Sequence, residues 1–326
     1  MTPENPVQEV LIVGGGLAGL SAGIYLGRAR RATLLIDSKQ SLARWEPDVQ
    51  NYLGFPRGIS GEELLTRGRQ QAKQYGVTFL PDEIVEATRE GEFFLMRGKK
   101  REYRARRLLL ATGLYHLPPE IPCVNDCLGK SMFFCKDCDG VRVEGKSIAV
   151  IGNGNEAVDY ALGMLFYSSC VVIATSGKSP AWDEQHESWL HDYEIPVYTE
   201  RITQVEHELG LLRSLEFEHG QRVAVEALFT TRGDIFHNNL GKMLGAELDD
   251  EGQIRVDTYM RTSVPGLYAA GCVTPANCQM IIAAGQGATA AQSINRDLFE
   301  ESLGTHRLRR FREQQLRHEQ TEPVVL

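Results

Sequence analysis

The sequence predicts an α/β protein made of two dinucleotide-binding folds, one inserted in the other. Three observations carry this. Gly14-Gly-Gly16-Leu-Ala-Gly19 follows the apolar run Val10-Leu-Ile-Val13, and Gly152-Asn-Gly154-Asn-Glu-Ala157 follows Ser147-Ile-Ala-Val-Ile151. Between the two loops lies a close cysteine pair, Cys135-Lys-Asp-Cys138, followed by Asp139-Gly140.

The first fold reads in chain order. Residues 10–13 form a buried parallel strand that feeds a helix over 18–29. Thr33-Leu-Leu-Ile-Asp37 is the next strand, ending in a carboxylate about 20 residues past the glycines. Gly14 permits the tight turn, Gly16 lets the backbone approach a pyrophosphate, and Gly19 lets helix and strand pack closely. The unpaired N–H groups of the helix then face the phosphates, with Asp37 left for the ribose hydroxyls. A helix over 61–76, strand-like stretches at 77–80 and 92–97, and Arg107-Leu-Leu-Leu-Ala-Thr-Gly113 complete this part. Leu117-Pro-Pro-Glu-Ile-Pro122 is a stiff connector. Val264-Pro-Gly-Leu-Tyr-Ala-Ala-Gly-Cys272 returns the chain to the first domain, and an Ala- and Gly-rich helix follows from Met280 to Phe299. The expected limits are 1–118 with 246–326 for the discontinuous domain and 119–245 for the insertion.

Composition bounds the function. The 326 residues are 42% hydrophobic and 24% charged, enough for two ordinary domains with their own cores. A net charge of −8 disfavours a nucleic-acid partner. No apolar run approaches the ~18 residues that span a bilayer. The first residues lack the basic and apolar regions of a secretory signal, so the expected location is cytoplasmic. Leu303–His318 interleaves five arginines with Leu308, Phe311 and Leu316. A solvated helix is the common form of such a stretch, and weak peripheral contact with anionic lipid is the further expectation. Lys99, Lys100 and Arg101 with Arg104, Arg106 and Arg107 read as a solvated hairpin rim.

Seven cysteines is an odd number in a chain that needs no disulfide framework. Cys123 and Cys127 lie just upstream of Cys135 and Cys138, which raises a four-cysteine zinc or iron–sulfur site. The first spacing is long for a closed zinc knuckle, so no metal is expected. Two dinucleotide folds around a dithiol point instead to electrons moving between a bound flavin and a disulfide. Thiolate is the reactive form of such a pair. Lys136 favours it, Asp137 and Asp139 oppose it, and the sequence leaves the balance open.

These motifs, with Asn51-Tyr-Leu-Gly-Phe-Pro56, Ala111-Thr-Gly113, Thr262–Gly271 and Ala283-Ala-Gly-Gln-Gly287, resemble the low-molecular-weight thioredoxin reductase family over nearly the whole chain. The resemblance implies a homodimer, one FAD per chain and a rotating inserted domain. It assigns Cys138 to the flavin and Cys135 to the partner's thiol or disulfide, the partner being a protein or a small dithiol. Asp139 becomes a proton carrier, with helix capping as the alternative. It also implies that Gly14, Gly16, Gly19, Asp37, Asn51, Thr112, Gly113, Gly271, Cys272, Gln279 and Met280 hold the FAD. Gly152, Gly154, Asn155 and Glu156 are left for a second nucleotide.

Three departures stand out. The family places a His-Arg-Arg-x-x-x-Arg cluster on the NADPH 2′-phosphate, where this chain reads Ser176-Gly-Lys178-Ser-Pro-Ala-Trp182. No arginine occurs between Val143 and Glu200. A charge-assisted bond contributes about 1.5–3 kcal/mol, so losing several removes most NADPH affinity. The family's "GGQL" is replaced by Ser41-Leu-Ala-Arg-Trp-Glu46, with Trp45 read as a rim aromatic or a cover for a ring. Its "AGD" aspartate is Cys272, read as a small buried thiol, with a second redox role alongside Cys278 as the alternative. The changes resemble the cyanobacterial diflavin-linked disulfide oxidoreductase branch. That resemblance implies a second FAD in place of NADPH and electrons running from thiols to flavin. The alternatives are a thioredoxin reductase driven by NADPH or ferredoxin, and a flavin-bearing dithiol sensor without turnover.

Overall fold

In the computed structural model, described over residues 7–313, the chain divides into two compact units. The first holds the chain up to Arg44, Glu62–Leu114 and the chain from Phe236 on. The second holds Trp45–Gly61 and Tyr115–Ile235. The sequence expectation draws the limits at 118 and 246 and gives residues 45–61 to the first unit.

The first unit is built on a seven-stranded sheet. Its order is Thr78–Leu80, Thr33–Ile36, Gln8–Val13, Glu102–Leu110, Phe93–Gly98 and Ile84–Glu90, with Leu267–Ala269 also pairing Glu102–Leu110. Gln8–Val13 pairs in parallel with both neighbours, Val13 standing opposite Ile36 and Leu110. Residues 10–13 of this strand are apolar throughout because both faces are covered there. Val10 and Ile12 join Leu20, Leu26, Ala290, Ile294 and Leu298 from the helices Leu17–Arg28 and Met280–Gly304. Leu11 and Val13 join Leu34, Ile36 and Phe94 on the other face. Each such leucine contributes about 1.5–3 kcal/mol by leaving water.

Gly14 has φ +111°, and a side chain there would run into the Ala111 carbonyl. A Cβ at Gly19 would strike the Gly14 carbonyl. The chain therefore turns at Gly14, and the helix begins at Leu17 with Gly16 as its N-cap, its first turn held against the strand end.

The second unit carries a parallel sheet in the order Val197–Tyr198, Val171–Ala174, Ile148–Ile151, Ala227–Thr230 and Met132–Phe133. The helix Asn155–Met164 covers one face through Ala157, Val158, Ala161 and Met164. An antiparallel sheet of Ile202–Glu208, Leu211–Phe217 and Arg222–Ala224 supplies much of the second core.

The basic stretch corrects the expectation. Lys99, Lys100 and Arg101 are exposed at a hairpin turn. Arg104, Arg106 and Arg107 instead lie within the strand Glu102–Leu110. Arg106 is buried and paired with Glu301, which also accepts from Arg107 at 3.0 Å. Arg104 sits over the Phe93 ring. A run that reads as one solvated patch is thus drawn into the sheet, where Arg106 and Arg107 share the Glu301 carboxylate. The helix ending at Gly304 runs beyond the expected Phe299, and a short helical turn follows over 307–313. Part of the basic stretch, from 314 on, and the first six residues lie outside the described residues.

Candidate active site

Cys135 and Cys138 form a disulfide with their Cα atoms 5.3 Å apart. Cys135 is the extended N-cap of the four-residue helix Lys136–Asp139, and its Sγ accepts the Cys138 backbone N–H at 3.2 Å. The Lys136 ammonium is held by the Asp137 carboxylate at 3.0 Å and lies near the Tyr160 ring.

Asp139 is not a cap: its side chain makes no capping bond to the short helix Gly140–Val143. It is buried and accepts a 2.7 Å bond from the Arg142 guanidinium, which also donates to the Gly129 carbonyl. Burial pushes the Asp139 carboxyl above the usual carboxylate range, and Arg142 opposes this only in part. Glu46 feels the same surroundings. Burial, then the Asp139 charge, raise its pKa, while Arg142 and His116 pull it down. His116 faces Asp234 at 2.6 Å and stacks on Phe134, the residue before Cys135. Tyr160 donates to the Phe134 carbonyl, and burial pushes its phenol up to about 12. Asp139 thus follows the disulfide directly in the chain, and it and Glu46 are both held toward their neutral forms near one guanidinium, an arrangement suited to moving protons with electrons.

In the first unit, Gly15, Asp37, Lys39, Ser41, Arg44, Glu62, Leu65 and Arg69 line a cleft of about 140 Å³. Asp37 is buried just past its strand and accepts from the Lys39 N–H at 2.9 Å and from Arg69 at 2.9 Å. Gly271 has φ +83° and donates its N–H to Gln286 at 2.7 Å. Gln279 caps the helix Met280–Gly304, whose first residue, Met280, packs on the core. Thr112 and Gly113 are tied to His237: the Thr112 hydroxyl donates to the His237 carbonyl at 2.7 Å, and the His237 N–H to Gly113. Asn51 is exposed on the segment that clusters with the second unit. Trp45 is exposed, as a rim aromatic is.

Cys272 is not the small buried thiol expected. It is half-buried and disulfide-bonded to Cys278. The sequence reading weighs Cys272 as the replacement of one acid, whereas the loop between Gly271 and the helix start folds back and brings the two sulfurs together.

At the second glycine loop, Gly154 is the N-cap of the helix Asn155–Met164, with Glu156 in its first turn. The segment after Val171–Ala174 closes over this loop. Ala181 N–H donates to the Asn153 carbonyl at 2.6 Å, and Asn155 donates to Asp183 at 2.8 Å. Asp183 is drawn down to about 2 by His186, first through the side-chain hydrogen bond. Gly152 packs against Thr231. Two residues that sequence reading missed arrive from the neighbouring strand. The Arg201 side chain begins beside Gly177, its Cβ within 3.4 Å of where a Gly177 Cβ would sit, and its guanidinium is 3.7 Å from Glu218. The buried Oε2 of Glu200 has no hydrogen-bond partner. Strand pairing of Ala174 with Tyr198 is what delivers both to this loop.

The four-cysteine site does not form. Cys135 and Cys138 are joined to each other, and Cys127 is buried with its thiol pushed up by burial. Cys123 instead meets Asp126 and His207. The Gly210 N–H donates to His207 Nδ1, which puts the proton of the neutral ring on Nε2, the nitrogen nearest Asp126. Among the described residues, no helix is long and apolar enough to cross a membrane.

Two dinucleotide-type units and a cysteine pair followed by a buried acid define a flavoprotein-class disulfide oxidoreductase. Residues 8–291 match the family model described as pyridine nucleotide-disulphide oxidoreductase. A thioredoxin reductase of Treponema pallidum is 32% identical over 294 residues, covering 87% of this chain and 95% of the relative. One from Bacillus subtilis is 27% identical over 317 residues, covering 93% and 99%. The crystal structure of HlmI superposes with a TM-score of 0.87 at 29% identity, covering 94% of this chain and 97% of that one. The chain belongs to the thioredoxin reductase family of pyridine nucleotide-disulphide oxidoreductases.

Proposed function

We propose that the protein exchanges electrons between FAD and the Cys135–Cys138 dithiol without NADPH, and that the second glycine fold carries a second FAD. The observation that carries this reading is the loop over 176–182. It holds Lys178 as its one cation and folds onto the second glycine turn, while the nearby acids Glu156 and Asp183 repel a 2′-phosphate. An unpartnered Glu200 oxygen suits the free hydroxyls of a ribose, as in an FAD adenosine. In the first unit, the cleft at Gly15 and Asp37 suits the ribose end of an adenosine diphosphate: a glycine turn, a helix N-terminus and a ribose-side acid lie together.

When bound, FAD supplies a two-electron acceptor and donor. The residues of the chain do the rest. A dithiol of a partner protein or small molecule attacks Cys135, Cys138 leaves, and the partner is released oxidised. Asp139, raised toward neutrality and oriented by Arg142, takes or returns the proton, with Glu46 as the second carboxyl in reach of the same guanidinium. Thiol-to-flavin flow is the proposed direction, taken from the resemblance to the diflavin branch; 30 mV between two-electron couples, about 1.4 kcal/mol, shifts the equilibrium tenfold, so modest tuning reverses the flow. The protein acts as a homodimer in the cytoplasm.

Arg201 favours a second reading, an NADPH-driven thioredoxin reductase, because it brings a guanidinium to the loop where relatives of this class place their phosphate contacts. Flavin released from denatured protein tests the two. A ratio near two per chain supports the first reading, and a ratio near one removes the second FAD.

A further inference from the structure

We propose that Cys272–Cys278 is a second thiol–disulfide exchange site, separate from Cys135–Cys138 and open to dithiols from solution. It does not depend on whether NADPH or a second FAD is used.

Four observations carry it. The sulfurs are bonded across only six residues, so the link constrains the unfolded chain less than a disulfide closing a long loop would. The unit that holds it has a large core of its own, the setting in which structural disulfides are least needed. The loop is already held without it. Thr274 is fully buried: its N–H donates to the Gly271 carbonyl, its carbonyl accepts from Gln253, and its hydroxyl has the Gly271 carbonyl and Gln286 Oε1 as acceptors. Finally, both cysteines are half-buried, and Pro275 and Asn277 between them are exposed, so an incoming sulfur has a path.

The two sulfurs are not equivalent. Cys278 precedes Gln279, the N-cap of the 25-residue helix Met280–Gly304. The positive end of that helix stabilises a thiolate on Cys278, which makes it the better leaving group. A dithiol therefore attacks Cys272 Sγ through its thiolate, the Cys272–Cys278 bond breaks and Cys278 leaves as thiolate. The second thiol of the partner then attacks its own sulfur in the mixed disulfide. This releases Cys272 as a thiol and the partner as a disulfide. Two electrons and two protons pass from the partner to the cysteines, and an oxidised partner drives the reverse.

The test is direct because trypsin leaves both cysteines, and no others, in one peptide over residues 262–296. The protein as purified is equilibrated with glutathione at graded ratios of reduced to oxidised form, quenched in acid and labelled with a maleimide. The expected result is a passage of this peptide from no adducts to two adducts without denaturant. An unlabelled peptide at every ratio, labelled only after denaturation and reduction, overturns the proposal in favour of a closed structural link. Two adducts at the most oxidised ratio overturn it by showing no disulfide. In Cys272→Ser, the remaining Cys278 thiol is expected to react with an aromatic disulfide at pH 7 roughly two- to fivefold faster than Cys272 does in Cys278→Ser. The reverse order overturns the assigned polarity.

Discussion

The Asp139 carboxylate accepts a 2.7 Å bond from Arg142, three residues on, and this pair directly follows the Cys135–Cys138 disulfide. Raised by burial in spite of Arg142, Asp139 is poised to carry a proton. Asp139→Asn is expected to lower turnover with a dithiol by about 10²–10⁴-fold. Because the folded pKa is raised, the stability linked to this group is present at low pH and lost as pH rises through that value. At neutral pH the substitution therefore removes a cost, and the thermal midpoint is expected to hold or rise. Steady-state rates beside a melting curve check this, and undiminished turnover would contradict the assigned role.

Gly19 lies against the Gly14 carbonyl, so a methyl group there forces the helix Leu17–Arg28 off the strand end. Gly19→Ala is expected to cost about 1–3 kcal/mol and to release flavin. The ratio of flavin to protein absorbance after gel filtration reads the second effect. Full retention of flavin would place the cofactor elsewhere.

Asp297 holds Arg261 at 2.6 Å and accepts from the Tyr268 hydroxyl, on the helix that closes the first unit. Burial alone would raise its carboxyl, but the bonds from Arg261 and Tyr268 win and hold it below the usual range. Its stabilisation is thus complete above the ordinary carboxylate pKa and is lost as pH falls through the lowered value. Asp297→Asn is expected to cost about 1–3 kcal/mol at pH 7, part of the charge being screened by solvent. Denaturant titrations at several pH values should show the gap between the two proteins narrowing as pH falls below about 4. A constant gap would mean that the carboxylate charge plays no part.

Much of this was legible because it is local. Gly14, Gly19 and Asp37 occupy one strand–turn–helix–strand pattern, and Cys135 and Cys138 are three residues apart. Glu46, His116 and Asp234 reach the Cys135 surroundings only through the fold, Glu46 across 89 residues and Asp234 across 99, and no period or spacing marks them. Glu200 and Arg201 arrive by strand pairing from a segment beyond the one where a phosphate grip is sought. Arg106 reads as solvated because a charge run hides the alternation of a strand. Cys272 and Cys278 are each visible, but their bond depends on how the intervening loop closes, which residue types alone do not dictate.

An anaerobic NADPH titration of the purified protein, followed at the oxidised-flavin band, tests the central claim most directly. An unchanged band at micromolar NADPH is the expected result. Stoichiometric bleaching would contradict it and favour the NADPH-driven reading.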